Sequence, residues 1–119
     1  VFIAPFMLFS ATAGQLADYD AVICLAALSN DPLGDLNPGA THSVNLDGTM
    51  QLARAAKAAG VGRFLFASSC SLYGAAGSGA VAEDADLYPV TAYGETKVQA
   101  ERALSALADL YSVEDLLAA

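Results

Sequence analysis

Basic residues are scarce in this chain. Arg54, Lys57, Arg63, Lys97 and Arg102 are the only 5, against 13 acidic side chains, and the formal net charge is −8. They are scattered and form no stripe, which argues against nucleic acid or an anionic membrane as a partner. Histidine is limited to His42, and no Cys-x-x-Cys occurs. A structural zinc site therefore has no ligand set, and no metal is assigned. Cysteine is limited to Cys24 and Cys70, each in an apolar strand-like run. Two buried thiols of a reducing compartment are the expectation, and with it a cytoplasmic protein, since two such residues make no disulfide framework. A long hydrophobic run is also missing. The longest apolar stretch, Val1 to Phe9, falls far short of the roughly 20 residues that cross a bilayer. It lacks the positive start of a signal peptide.

What the chain does have is apolar mass: 55% of its 119 residues. That is high for a soluble domain, and much of it is alanine, which suits helices packed closely on a sheet. The length fits one domain or part of one. Asp20 to Ala27 is a short continuous apolar run and reads as a strand buried on both faces. Loop formers follow from Ser29 to Gly39. A helix is expected from about Ala40 to Ala59, with Leu46, Met50, Ala53 and Ala56 at helical spacing and Gly60 as its stop. Arg63 to Ser68 reads as a second buried strand. A glycine-rich, acidic loop with Gly74, Gly77 and Gly79 leads to Pro89. A second helix is expected from about Thr91 to Leu110, its apolar positions including Val98, Ala100, Ala103, Leu104 and Leu107. Strand, helix, strand, helix is an α/β order that implies a parallel sheet. Gln15 to Tyr19 reads as a possible helix end, and Ser112 to Leu117 as one or two helical turns.

Tyr93 and Lys97 carry the chemistry. Four residues apart on a helix, they share a face. A bare Tyr-x-x-x-Lys is a weak signal and is often an ordinary surface pair, but here it opens a helix beyond a strand end. In an open parallel sheet, that edge is where ligands bind. Ser69 sits at the end of the preceding strand, on the same edge. Cys70, with no histidine near it in the motif, reads as packing rather than a nucleophile. His42 reads as a solvated helix position. The Gly74–Gly79 loop has no following helix to make it a phosphate cradle.

Taken together, Ser68-Ser69-Cys70-Ser71-Leu72-Tyr73-Gly74 and Tyr93-Gly94-Glu95-Thr96-Lys97 resemble the extended short-chain dehydrogenase/reductase family, and within it the NAD-dependent sugar epimerases and dehydratases. Val22 to Ala27 resembles the family's strand under the cofactor, and Asn45-Leu46-Asp47-Gly48-Thr49 its Asn-x-x-Gly-Thr helix element. These motifs fall within residues 20 to 108. The resemblance implies a partial Rossmann-like doubly wound parallel sheet, three-layer α/β/α, forming a single partial NAD(P)-binding domain over 1–119. Residues 1–19 hold no Gly-x-x-Gly-x-x-Gly turn. The N-terminal glycine-rich βα unit is therefore read as lacking, the substrate domain as absent, and the chain by itself as inactive.

The same resemblance implies roles. Tyr93 would be the general acid/base, made easier to ionise by the Lys97 cation and the nicotinamide ring. Lys97 would also bond the nicotinamide ribose. Ser69, four residues before Tyr73, would donate to the substrate oxygen. Leu25, Ala26 and Ala27 would touch the cofactor through backbone and packing, with plain sheet core as the alternative. Asn45 would hold the geometry through backbone bonds, with a solvated polar position as the alternative. Ser68 joins the cofactor-binding set; for Ser68 and Ser71 a turn hydroxyl satisfying local backbone is the alternative. The cofactor would be NAD, with NADP open, and the substrate a small molecule such as a nucleotide-sugar. A homodimer would form through the helices near 40–60 and 92–110. A non-catalytic dinucleotide-sensing or dimerisation module on the same fold is the rival reading. Three positions depart from the family pattern: Cys24 where His is frequent, Ala92 where Pro is frequent, and Val44 where a polar side chain often meets the cofactor.

Overall fold

The computed structural model describes residues 8–29, 36–74, 81–108 and 112–116. Val1 to Met7, most of the opening apolar stretch, lies outside them, as do Gly77 and Gly79. Helix α1 (Ala13–Leu16) is one turn, capped by a reciprocal Thr12–Gln15 box. It leads to β1 (Ala21–Cys24). The first long helix is built in three parts: α2 (Pro38–His42), a wider π-helical stretch (Ser43–Gly48) and α3 (Thr49–Ala58). Asn37 caps its start with a side-chain bond to the Ala40 N–H, and Pro38 follows in the first turn, where a missing N–H costs nothing. Gly60 ends it at φ +76°, as expected for a helix stop. Strand β2 (Arg63–Ala67) follows, then a 3₁₀ turn (Cys70–Tyr73), helix α4 (Ala92–Leu107) and β3 (Ser112–Leu116).

The three strands form one parallel sheet in the order β1-β2-β3. Ala21 pairs with Arg63 and Cys24 with Phe66; Arg63 pairs with Ser112 and Ala67 with Leu116. The α/β expectation with a parallel sheet holds. The helical turns expected at 112–117 are corrected: five of those residues are a strand. Parallel pairing along β2 overrides a weak local preference there, because β2 offers a row of backbone donors and acceptors that only another strand satisfies.

The core lies between the sheet and the two long helices. Phe64 and Phe66 on β2, Cys24 on β1, Met50, Ala53 and Ala56 on α3, and Ala100 and Leu104 on α4 form one cluster. The alanines let the helices approach closely, and the two phenylalanines fill the space left, each contributing about 2–3 kcal/mol by leaving water. Among the described residues the helices cover one face of the sheet. Burial of β1 on both faces is therefore corrected: Ile23 is 58% and Leu25 69% exposed, since no described element lies over them.

Candidate active site

Among the described residues, most of the buried polar groups lie near the carboxyl ends of β1 and β2. Thr41, Asn45, Thr49, Ser68, Ser69, Thr96 and Lys97 are all buried. Each needs a partner to offset lost hydration, and those partners define the site.

Lys97 is 2% exposed. Its Nζ donates to the Ala67 carbonyl at 2.8 Å, the last residue of β2. The ammonium lies 4.5 Å from the Phe66 ring centre and 5.6 Å from that of Tyr93, an arrangement in which ring faces attract a cation. Burial pushes the Lys97 ammonium below its usual lysine range, opposed by Cys24, were it a thiolate, and by the Glu101 carboxylate. One short bond thus carries the strand end to the helix that bears Tyr93.

The turn after β2 docks against the same helix. Thr91 caps α4 by accepting from the Gly94 N–H at 3.1 Å. A Cβ at Gly94 would come 2.9 Å from the Ser71 carbonyl oxygen and 3.1 Å from Pro89 Cβ, so the missing side chain lets helix and turn meet. Gly74 closes the turn at φ +57°, where a Cβ would stand 1.8 Å from the Tyr88 carbonyl oxygen. The Tyr88 N–H donates back to the Leu72 carbonyl at 2.9 Å. Ser69, Tyr93 and Lys97 are brought to one edge by these contacts.

Ser69 caps the 3₁₀ turn, its Oγ accepting from the Ser71 N–H at 3.2 Å. The local-turn role offered to Ser68 and Ser71 thus falls to Ser69. It uses only a lone pair, and the Ser69 proton stays available to donate. Ser68 instead turns its hydroxyl to the Glu101 carboxylate. Asn45 is 1% exposed, which sets aside the solvated alternative. Its Oδ1 accepts from the Leu28 N–H at 2.7 Å, and its Nδ2 donates to the Leu28 carbonyl at 3.1 Å and to Thr96 Oγ1 at 3.2 Å. One side chain inside the π-helical stretch therefore clamps the segment after β1 to α4; such stretches occur often at functional sites. Just before Leu28, Leu25 and Ala26 are exposed and Ala27 half-buried, so these three line the open edge rather than the core.

One expectation changes, and one is met with an added contact. Cys70 is exposed, and only Cys24 is buried, because the 3₁₀ turn points Cys70 outward while its neighbours Leu72 and Tyr73 pack inward. Burial pushes the Cys24 thiol up, so it stays protonated. His42 is the exposed helix residue expected, and its Nε2 also lies 3.0 Å from Gln99 Oε1 on α4. Sequence reasoning missed Glu101 and Phe66. Glu101 had a signal, the repeat of Tyr93, Lys97 and Glu101 at four-residue spacing; Phe66 had none beyond its place in a strand. Among the described residues no cluster of His, Cys, Asp or Glu is arranged for a metal, and no helix is long and apolar enough to cross a membrane.

Fold and site define an open parallel α/β unit with a Ser, Tyr and Lys beyond the carboxyl ends of its strands. Residues 9–115 match the model of the NAD dependent epimerase/dehydratase family, and the chain belongs to that family. It is 35% identical over 85 residues to a UDP-glucose 4-epimerase of Rhizobium leguminosarum bv. trifolii, covering 71% of this chain and 26% of that protein. A UDP-N-acetylglucosamine 4-epimerase from Methanobrevibacter ruminantium M1, solved with UDP-N-acetylmuramic acid, superposes with a TM-score of 0.84 at 26% identity, covering 92% of this chain and 36% of that one. A dTDP-glucose 4,6-dehydratase from Streptomyces venezuelae, solved with NAD, gives 0.81 at 28% identity, covering 88% and 34%. The chain thus spans about a quarter of the length of the curated relatives it matches.

Proposed function

We propose that these residues are the central part of an NAD(P)-dependent epimerase or dehydratase acting on a nucleotide-linked sugar. Tyr93 is the general acid/base, Lys97 its neighbouring cation and a holder of the cofactor ribose, and Ser69 the donor to the substrate oxygen. The observation that carries the reading is the Lys97–Ala67 bond of 2.8 Å with the Tyr93 ring 5.6 Å away. It sets the ammonium between the phenol and the strand tip that continues into Ser69. The residues present fit a dinucleotide: Leu25 to Ala27 form an exposed edge, and Asn45 fixes the backbone beside it. When bound, the cofactor accepts and returns hydride. The chain's own residues handle the proton. Tyr93 takes it from the sugar hydroxyl, Lys97 stands beside the phenol as a fixed cation, and Ser69, its proton free, steadies the charge on the substrate oxygen.

UDP-glucose 4-epimerases and a dTDP-glucose 4,6-dehydratase stand among the similar proteins, which supports a nucleotide-sugar substrate. A structure solved with NADPH at 30% identity keeps NADP open beside NAD. A homodimer would form over the groove between the long helices, which Leu46, Met50 and Ala103 line together with Asp47, Gln51 and Arg54. With no Gly-x-x-Gly-x-x-Gly turn in the 119 residues, calorimetry at millimolar NAD+ on this chain alone is expected to be silent. The decisive test replaces the matching segment of the Rhizobium epimerase with residues 20–108. The chimera is expected to interconvert UDP-glucose and UDP-galactose, and Tyr93→Phe in it to lose about 10²–10⁴-fold in kcat. A Tyr93→Phe chimera as fast as its parent overturns the reading.

A further inference from the structure

A buried ammonium needs a nearby negative charge or its proton becomes easy to lose. Lys97 faces Cys24 of β1, Phe66 and Ala67 of β2, and Tyr93 and Glu101 of its own helix. Cys24 supplies charge only as a thiolate, and burial keeps it a thiol. Glu101 is left as the negative group facing Lys97 among the described residues. It is half-buried, one turn beyond Lys97, on the face that also carries Tyr93. Its carboxylate accepts a hydrogen bond from the Ser68 hydroxyl, and Ser68 immediately precedes Ser69. Glu101 also bears on Tyr73 in the turn, where Glu83 and Asp84 add their charges and burial raises the phenol.

We infer that Glu101 is a positioning residue of this site: one carboxylate ties the Ser68–Ser69 tip of β2 to α4 and supplies the negative charge that Lys97 faces. The inference rests on the reading of Ser69, Tyr93 and Lys97 given above. It separates two effects that a plain structural clip would not. The hydrogen bond needs only an acceptor, which an amide also provides. The charge needs the carboxylate.

The chain has just two lysines, Lys57 and Lys97, so the full chain labelled with [13Cε]lysine gives one reporter and one internal reference. In E101Q the Lys97 signal is expected to titrate at lower pH than in the parent, with Lys57 unmoved. S68A, which keeps the carboxylate, is expected to leave Lys97 near its parent titration, and E101D to restore most of it. An E101Q chain whose Lys97 titrates with the parent overturns the inference, as does an S68A shift as large as that of E101Q. Should E101Q not fold, the parent itself decides. Its Lys97 signal is expected to carry a second small inflection at acidic pH, where carboxylates titrate, which Lys57 lacks; no such inflection overturns the proposal. No NAD+ or substrate enters these measurements, so their failure leaves the Tyr93 test standing, and the reverse holds too.

Discussion

The two halves of α4 are buried for different purposes. Its first half buries Thr96 and Lys97 along with Gly94 and Val98; its second buries Ala100 and Leu104. In the second half the gain is loss of water from apolar surface against Phe64, Phe66, Ala53 and Ala56. In the first half the two buried polar side chains are matched. Thr96 Oγ1 donates to the Tyr93 carbonyl at 2.8 Å and accepts from Asn45, and Lys97 donates to Ala67. Matched polar groups add little net stability, but leaving one unmatched is costly. The apolar half therefore holds the helix on the sheet, and the polar half fixes where its first turn sits.

The largest test of this division is Phe64→Ala. The ring is fully buried, and its loss is expected to cost about 4 kcal/mol in urea unfolding. A cost near zero breaks the comparison from the apolar side. Gly74→Ala comes next, at about 3 kcal/mol, because φ +57° with ψ −134° is a region kept to glycine and the Tyr88 carbonyl blocks a Cβ. Thermal melting checks it. Asn45→Ala is expected to cost about 2 kcal/mol by orphaning the Leu28 backbone groups and a Thr96 bond. Hydrogen exchange should show faster exchange at the Leu28 amide.

The smallest effect is the sharpest. Lys97→Met is expected to stay within about 1 kcal/mol of the parent at pH 7, since a lost buried charge is balanced by lost bonds. Its pH dependence should differ. Burial lowers Lys97 in the fold, so the unfolded chain holds that proton longer, and this group's contribution rises as pH climbs towards the ordinary lysine range. Cys24 and Tyr73 are raised in the fold. They keep their protons while the unfolded chain loses them, so their contribution falls with pH. Removing Lys97 takes away a rising contribution, and the alkaline decline in unfolding free energy should steepen. Melts across the alkaline range read it.

Much of the fold was legible because it rests on local patterns. Leu46, Met50, Ala53 and Ala56 at helical spacing, Gly60 at the stop, and the apolar run at Arg63 to Ala67 each name an element. The Ser, Tyr and Lys of the candidate site were legible too, since four-residue spacing on a helix fixes a shared face. β3 was not. Ser112 to Leu116 has no strong apolar alternation, and its strand state comes from pairing with β2. The exposure of Ile23 was equally hidden, because a β-strand's own residues do not say which of its faces is covered. Nor did the residues announce the π-helical stretch at Ser43–Gly48, which sets Asn45 towards both Leu28 and Thr96.

The amino-acid order by itself determined the alternation of strand and helix, the capped starts at Asn37 and Thr91, and the sharing of one helix face by residues 93, 97 and 101. Those are short-range matters of propensity and periodicity. Only the tertiary structure decided that Lys97 is buried on the Ala67 carbonyl, that Glu101 reaches Ser68, and that Cys70 faces outward. Each of these depends on how α4 lies across β2, and that placement is set by alanine and phenylalanine packing between segments far apart in the chain.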